Sequence, residues 1–331
     1  MNKQIFLLFV AFLSALHLEA QVKKYPLIEH FTNTRCGSCA ANNPGFYAKT
    51  LPLINSSVHH ISYHPSFPYA SCQLYQSNTS ENSGRAEIYG VNSTPTFILN
   101  GGPVQSLSSF SSATLNAELL KTSPLQLKVK EKDNGGSWTA KIELSTFGVV
   151  PAGKYRIVAA LCEKKLNYSA PNGEKLHYDV FRKMLTAVKG NDIANMPAAG
   201  NQIEFSYNYT IDAGWDATQI YVLAWVINAD TREVINSGSR FTAVSSAEDL
   251  AIPDDISVYP NPASQEIVID LSRSESGALE YELLNPLAQV IQRGVIKSNR
   301  ETVKLPDFSY PYFVLRLITE KGVVNKTVLR K

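Results

Sequence analysis

Cys36-Gly37-Ser38-Cys39 is the part of this 331-residue chain whose residue types and spacing speak most directly of chemistry. Two thiols separated by two residues can close into a small disulfide and reopen. Where a strand runs into a helix N-terminus, such a thiol loses its proton more readily and becomes a nucleophile. The same spacing is also half of a tetrahedral zinc site, which needs a second pair of ligands. The other cysteines, Cys72 and Cys162, stand alone, and His59, His60 and His64 do not repeat the usual ligand pairing. No metal and no cofactor is therefore assigned. Cys72 and Cys162 could pair with each other in an oxidising compartment, or serve as two small buried apolar groups.

The elements that must position the cysteine pair are legible on both sides of it. Tyr25 to Thr32 is apolar and β-prone, and Ala40 to Leu53 is suited to a helix. Val58 to His64 follows as a strand, with His60 and His64 on one face and His59 on the other. Further on stands Ala86-Glu87-Ile88-Tyr89-Gly90-Val91-Asn92-Ser93-Thr94-Pro95-Thr96-Phe97-Ile98-Leu99-Asn100-Gly101-Gly102. Residues 111–121 carry leucines at helical spacing and end at Ser123-Pro124.

Taken together, residues 24–122 resemble the thioredoxins. Pro44 lies five residues after Cys39, where that family kinks its active-site helix. The resemblance implies a cis bond before Pro95, facing the cysteines, with Thr94 offering its backbone to a bound peptide. It implies Cys36 as the attacking thiolate and Cys39 as the resolving thiol, cycling through a Cys36–Cys39 disulfide. Two positions depart from the family: Arg35 replaces a usual tryptophan, and His30 takes the place of a buried acid, with Glu29 beside it. Arg35 would favour the Cys36 thiolate through opposite charge, and His30 would relay the proton of Cys39.

The bulk properties set limits. Net charge is +2, with 18% charged and 44% hydrophobic residues. No basic run is interleaved with aromatics, so nucleic acid is not an expected partner. Residues 1–20 read as a signal peptide, with Lys3 ahead of a short apolar stretch and Ala20 at the cleavage point. No later segment is apolar over 18 residues, so the mature chain is expected to carry no transmembrane span. Export places the cysteines where disulfides persist.

Beyond Pro124 the texture becomes alternating. Leu125 to Lys130 and Thr139 to Leu144 flank the turn Asn134-Gly135-Gly136, and further strands follow at Tyr155, Gln202 and Gln219. The order Leu166-Asn167-Tyr168, Asn172-Gly173, then His177 to Leu185 resembles exported outer-membrane-associated proteins that join a thioredoxin domain to a β-domain. Residues 243–255 are polar and aperiodic. Tyr259-Pro260-Asn261-Pro262, the strands after it and the Lys-ended terminus closely resemble the C-terminal sorting domain of type IX secretion cargo.

The sequence thus predicts a multi-domain chain, α/β plus all-β: a thioredoxin-like fold followed by two β-sandwich domains. The divisions are a signal peptide at 1–20, the thioredoxin-like domain at 21–122, a β-sandwich at 123–242, a linker at 243–255 and the sorting domain at 256–331. The expected function is that of an exported thiol–disulfide oxidoreductase acting on cysteine-containing proteins. Its catalytic residues are Cys36 and Cys39, supported by Arg35, His30, Thr94 and Pro95. The alternative is a surface-displayed binding or adhesion protein with a static disulfide. The expected partners are protein thiols and the type IX secretion machinery. The expected location is the periplasm in transit, then the outer-membrane surface or the medium.

Overall fold

A computed structural model describes residues 22–55, 57–242, 256–271, 278–285, 290–307, 312–319 and 322–330. The expected signal peptide and linker lie outside these residues. The chain opens with β1 (Val22–Lys23), β2 (Leu27–Phe31), α1 (Gly37–Thr50), β3 (His59–Tyr63), α2 (Gln73–Gln76) and α3 (Thr79–Tyr89). β4 (Thr96–Leu99), β5 (Val104–Gln105), α4 (Ser112–Leu119) and β6 (Thr122–Ser123) follow. Then come β7 (Leu125–Asp133), β8 (Trp138–Thr146), β9 (Tyr155–Asn167), β10 (Leu176–Met184) and β11 (Asn191–Asp192). β12 (Gln202–Tyr209), β13 (Ile220–Asn228) and β14 (Val234–Ser239) complete the body.

Local chemistry sets the helix ends. Cys36 caps α1, its sulfur accepting from the Cys39 amide. Asn78 caps α3 in the same way through the Glu81 amide, and Gly90 ends that helix in the left-handed region at φ 64°. β7 alternates buried Leu125, Leu127 and Val129 with more exposed residues, because only one of its faces meets a core. β9 and β13 are apolar nearly throughout, because both of their faces are covered.

The nine-stranded central sheet runs β14-β13-β9-β10-β3-β2-β4-β5, with β11 paired to β9. One face is a continuous core. It joins Leu27, Ile61 and Tyr63 to Val158, Cys162, Phe181 and Trp225, and α3 covers it with Ala86 and Tyr89. The opposite face is covered in two parts. α1 and α4 pack Phe46, Tyr47 and Leu115 onto Ile28, Phe97 and Leu99. A three-stranded sheet, β12-β8-β7, packs on β9 and β13 through Leu127, Ile142 and Leu144.

This corrects the expected fold class. There is no thioredoxin-like α/β domain set ahead of a separate sandwich. β10 pairs in parallel with β3 at Val180 and Ser62, so strands on both sides of residue 123 hydrogen-bond into one sheet over one core. The chain is β-rich, with four helices among the described residues. The physical reason is that β9, β10 and β13 would leave an apolar face bare if they closed only on β7, β8 and β12. That face is buried on the segment that holds the cysteines.

The C-terminal part contains β15 (Ser257–Tyr259), β16 (Glu266–Asp270), β17 (Ala278–Leu284), β18 (Val290–Val295), β19 (Arg300–Lys304), β20 (Tyr312–Thr319) and β21 (Gly322–Leu329). A three-stranded sheet, β15-β16-β19, and a four-stranded sheet, β18-β17-β20-β21, share a core of Ile267, Ile269, Leu283, Val303, Leu315 and Leu317.

Candidate functional site

β2 carries the chain to the first turn of α1, and the tight turn between them sets the cysteine pair. The Cys36 amide donates to the Asn33 carbonyl at 2.9 Å, and the Asn33 side-chain oxygen accepts from the Arg35 amide at 3.0 Å. The Asn33 side-chain amide reaches the carbonyls of Pro65, Phe67 and Tyr69, which ties the cysteine turn to the segment after β3. The Cys36 sulfur therefore sits at the start of α1, 3.1 Å from the Cys39 amide, 3.0 Å from the Ser38 hydroxyl and 3.7 Å from the Thr94 carbonyl. The bond between Thr94 and Pro95 is cis, and both residues are half-buried beside the thiols.

The two thiols are pushed in opposite directions. Burial would raise Cys36, but hydrogen bonds from the Cys39 thiol, the Ser38 hydroxyl and the Cys39 backbone amide outweigh it and leave this thiol below its usual value. Burial pushes Cys39 up to about 12, and its hydrogen bond with Cys36 adds to the rise. Cys39 is fully buried and Cys36 is 3% exposed. All four cysteines are free thiols in this structure. Arg35 is exposed, and hydrogen bonds rather than its guanidinium account for the lowered Cys36.

His30, in β2, is fully buried and stacked on Phe97 at 4.6 Å between ring centres. Burial and the neighbouring His60 and His64 hold its pKa well below the ordinary imidazole value. Its Nδ1 is 3.4 Å from His60 Nε2, and His60 Nδ1 is 2.9 Å from Asp179. Asp179 also accepts from the Tyr221 hydroxyl at 2.8 Å and holds a left-handed φ of 48° inside β10. A buried polar file thus crosses from β2 through β3 and β10 to β13. Among the described residues no three His, Cys, Asp or Glu side chains converge to hold a metal ion. Cys72 hydrogen-bonds the Thr34 hydroxyl at 3.2 Å and packs with Leu74 and Val180, while Cys162 lies in the core beneath α3.

Sequence reasoning missed the residues that hold the pair from outside. The turn between β9 and β10 lies against it. The Asn172 amide donates to the Thr34 carbonyl at 3.1 Å, and the Asn172 side chain donates to the Cys36 carbonyl at 3.1 Å. Glu174 accepts from Asn43 of α1 at 2.8 Å. Asn172-Gly173 is visible in the sequence as a turn, but nothing local to it says what the turn touches.

Residues 82–244 match the family described as Outer membrane protein Omp28, and residues 257–330 match the Secretion system C-terminal sorting domain. No curated protein matches the chain. Among solved structures, HBP35 of Porphyromonas gingivalis is similar at 17% identity and a TM-score of 0.55, over 94% of this chain and 99% of that one. A domain of the outer membrane lipoprotein Omp28 from Porphyromonas gingivalis aligns at 14% identity and a TM-score of 0.27. It spans 35% of this chain and 86% of that domain. The first likeness is one of fold, and it runs through the whole β-rich molecule rather than stopping at residue 123. The matched stretches are thus similar to the Omp28 family and to the sorting domain, and the chain is exported to the outer-membrane surface or secreted. The sorting domain implies contact with the secretion machinery. Among the described residues no helix is long and apolar enough to cross a membrane.

Proposed function

We propose that this exported surface protein uses Cys36 and Cys39 for thiol–disulfide exchange with a cysteine-bearing protein segment. One observation carries the reading. Two thiols three positions apart are pushed in opposite directions, the outer one down and the inner one up to about 12. That asymmetry suits one thiol to attack and the other to stay protonated until it is needed. Cys36 would form the mixed disulfide, Thr94 and Pro95 would border the incoming segment, and Cys39 would displace it.

A second reading is that of a surface-displayed binding or adhesion protein in which the pair is static. The comparisons sit more easily with it, since the matched families describe a location and a sorting signal. The near-complete burial of Cys36 also speaks for it. Cys39→Ser, expressed in the native compartment, separates the two. Exchange predicts adducts through Cys36 that disappear with reductant. No adduct, together with a reduction potential below about −300 mV, the range of structural disulfides, would leave the binding reading standing.

A further inference from the structure

The turn Pro171-Asn172-Gly173-Glu174 closes on itself before it touches anything else. The Gly173 amide donates to the Ala170 carbonyl at 2.9 Å, the Ala170 amide donates to the Glu174 carbonyl at 2.8 Å, and Gly173 holds a φ of 97°. Chemistry fixes the orientation of the Asn172 side chain. Its Oδ1 accepts from the Glu174 amide at 3.2 Å. Its Nδ2 faces three oxygens that only accept: the Glu174 carboxylate at 2.7 Å, the Cys36 carbonyl at 3.1 Å and the Asn33 carbonyl at 3.4 Å. One N–H serves the carboxylate, and the other spans the two carbonyls. The contact with Cys36 joins positions 136 residues apart. The peptide group before Cys36 is pinned by its N–H to the Asn33 carbonyl at 2.9 Å. The group after it is pinned by its carbonyl, which takes Asn172 and the Ala40 amide at 3.2 Å. Cys36 is thereby held at φ −81° and ψ 115°, outside the helical range, and this ψ brings the Cys39 N–H round to the Cys36 sulfur at 3.1 Å.

We propose that Asn172 is a positioning residue for Cys36: by holding the Cys36 carbonyl it keeps the sulfur over the Cys39 amide, so the β9–β10 turn is part of the attacking site. This rests on the exchange reading above. In the attacking step the Cys36 thiolate meets one sulfur of a substrate disulfide. The bond from Cys36 to that sulfur forms, the substrate S–S bond breaks, and the second substrate sulfur leaves as a thiolate. Until then the negative charge sits on Cys36, and the Cys39 N–H is one of the donors that hold it there. Without Asn172 the Cys36 peptide group is free to turn about ψ, and sulfur and N–H separate. The other titratable and charged side chains on the elements around Cys36 are few. Arg35 and Cys39 lie on its own segment, Glu174 and Lys175 on the turn, and Cys72 on the loop after β3, while Ser93 to Thr96 carry none.

The test follows iodoacetamide labelling of the fully reduced full-length chain against pH, with Cys36 and Cys39 told apart by fragment mass spectrometry. The readout is the pH at which Cys36 labelling reaches half its ceiling. Asn172→Ala should raise that midpoint by about half to one pH unit, the effect of one lost hydrogen bond. Asn172→Asp keeps the shape of the turn and the acceptor for the Glu174 amide, so it guards against a variant that fails to fold. It cannot donate to the Cys36 carbonyl and adds a negative charge nearby, so its midpoint should rise at least as far. Pro171→Ala loosens the same turn but keeps the amide, and its midpoint should stay within about 0.2 units of the native one. The proposal is overturned if Asn172→Asp labels with the native midpoint, or if Pro171→Ala shifts it as far as Asn172→Ala. In either case a native Cys36 that titrates below the ordinary thiol value and labels ahead of Cys39 keeps the exchange reading intact. A native Cys36 that labels no faster than Cys39 sinks both.

Discussion

At the scale of single residues, Cys36 and Cys39 sit only three positions apart and yet meet different surroundings. Cys36 occupies the cap of α1 among hydrogen-bond donors, while Cys39 sits one turn in, without exposure. Iodoacetamide near neutral pH should therefore label Cys36 about tenfold faster than Cys39 in the reduced protein, read by mass spectrometry of the labelled peptides. Equal rates, or Cys39 first, would contradict the asymmetry. His59 makes a second case. It is fully buried on the face opposite His60, with Ser237 at 2.7 Å and Thr242 at 2.9 Å. Burial, with Lys23 adding to it, lowers its pKa from 6.5 to about 3. Above the unfolded value of 6.5 both states are neutral and its contribution is complete. As pH falls from there toward 3, the unfolded chain takes up a proton that the folded one refuses. Stability should drop by up to about 1.4 kcal/mol per pH unit for this group. Urea unfolding at about pH 7 and about pH 4.5 checks it: His59→Gln should cost stability at the higher pH and show a shallower loss between the two. A loss as steep as the native one would assign the acid limb to other groups. The alternation of Val58 to His64 was enough to place His59 and His60 on opposite faces. It could not show that Asp179 waits beside His60, because that residue arrives from 119 positions away.

At the scale of elements, local pattern carried some strands and long-range contact carried others. β7 and β8 were legible because a strand with one wet face must alternate. α4 was legible because Leu115 and Leu119 recur at helical spacing, and the helix spans Ser112–Leu119 within the expected 111–121. β9 and β13 were legible as strands, but their unbroken apolar runs also meant cover on two faces, and that sense was lost when they were assigned to a sandwich. The parallel join of β10 to β3 has no local signature at all, since each strand is complete as a pattern without the other. A second junction is equally silent in the sequence. The turn between β4 and β5 presses on the turn before β14: Val234 donates to the Asn100 carbonyl at 3.1 Å, and Gly101 sits at φ 72° against the backbone of Arg232. A Cβ there would stand 1.9 Å from the Arg232 carbonyl oxygen. Gly101→Ala combines backbone strain with a clash against main chain and should cost at least about 3 kcal/mol in chemical unfolding. A loss under about 1 kcal/mol would mean that the two turns part easily.

At the scale of the whole molecule, the C-terminal sheets hold a core of their own, and the body's cores draw on residues before 243. Deleting residues 256–331 should thus leave a folded body that stays between the two membranes, followed by cell fractionation and thermal unfolding. Normal surface amounts of the truncated chain would show that sorting does not depend on that domain. Within the body, one side chain fastens the chain's start to its finish. Asn236 of β14 accepts from the Tyr25 amide at 2.8 Å and donates to the carbonyls of Lys23 and Leu125, at 3.1 and 2.6 Å. The Tyr25 contact spans 211 positions. A ribosome adds about 5–20 residues per second, so the first strand is made about ten to forty seconds before the residue that locks it. For most of that interval β3 has no β10 to pair with. The early chain therefore carries open strand edges until its late strands arrive, and the body closes only once the second half of the chain is made.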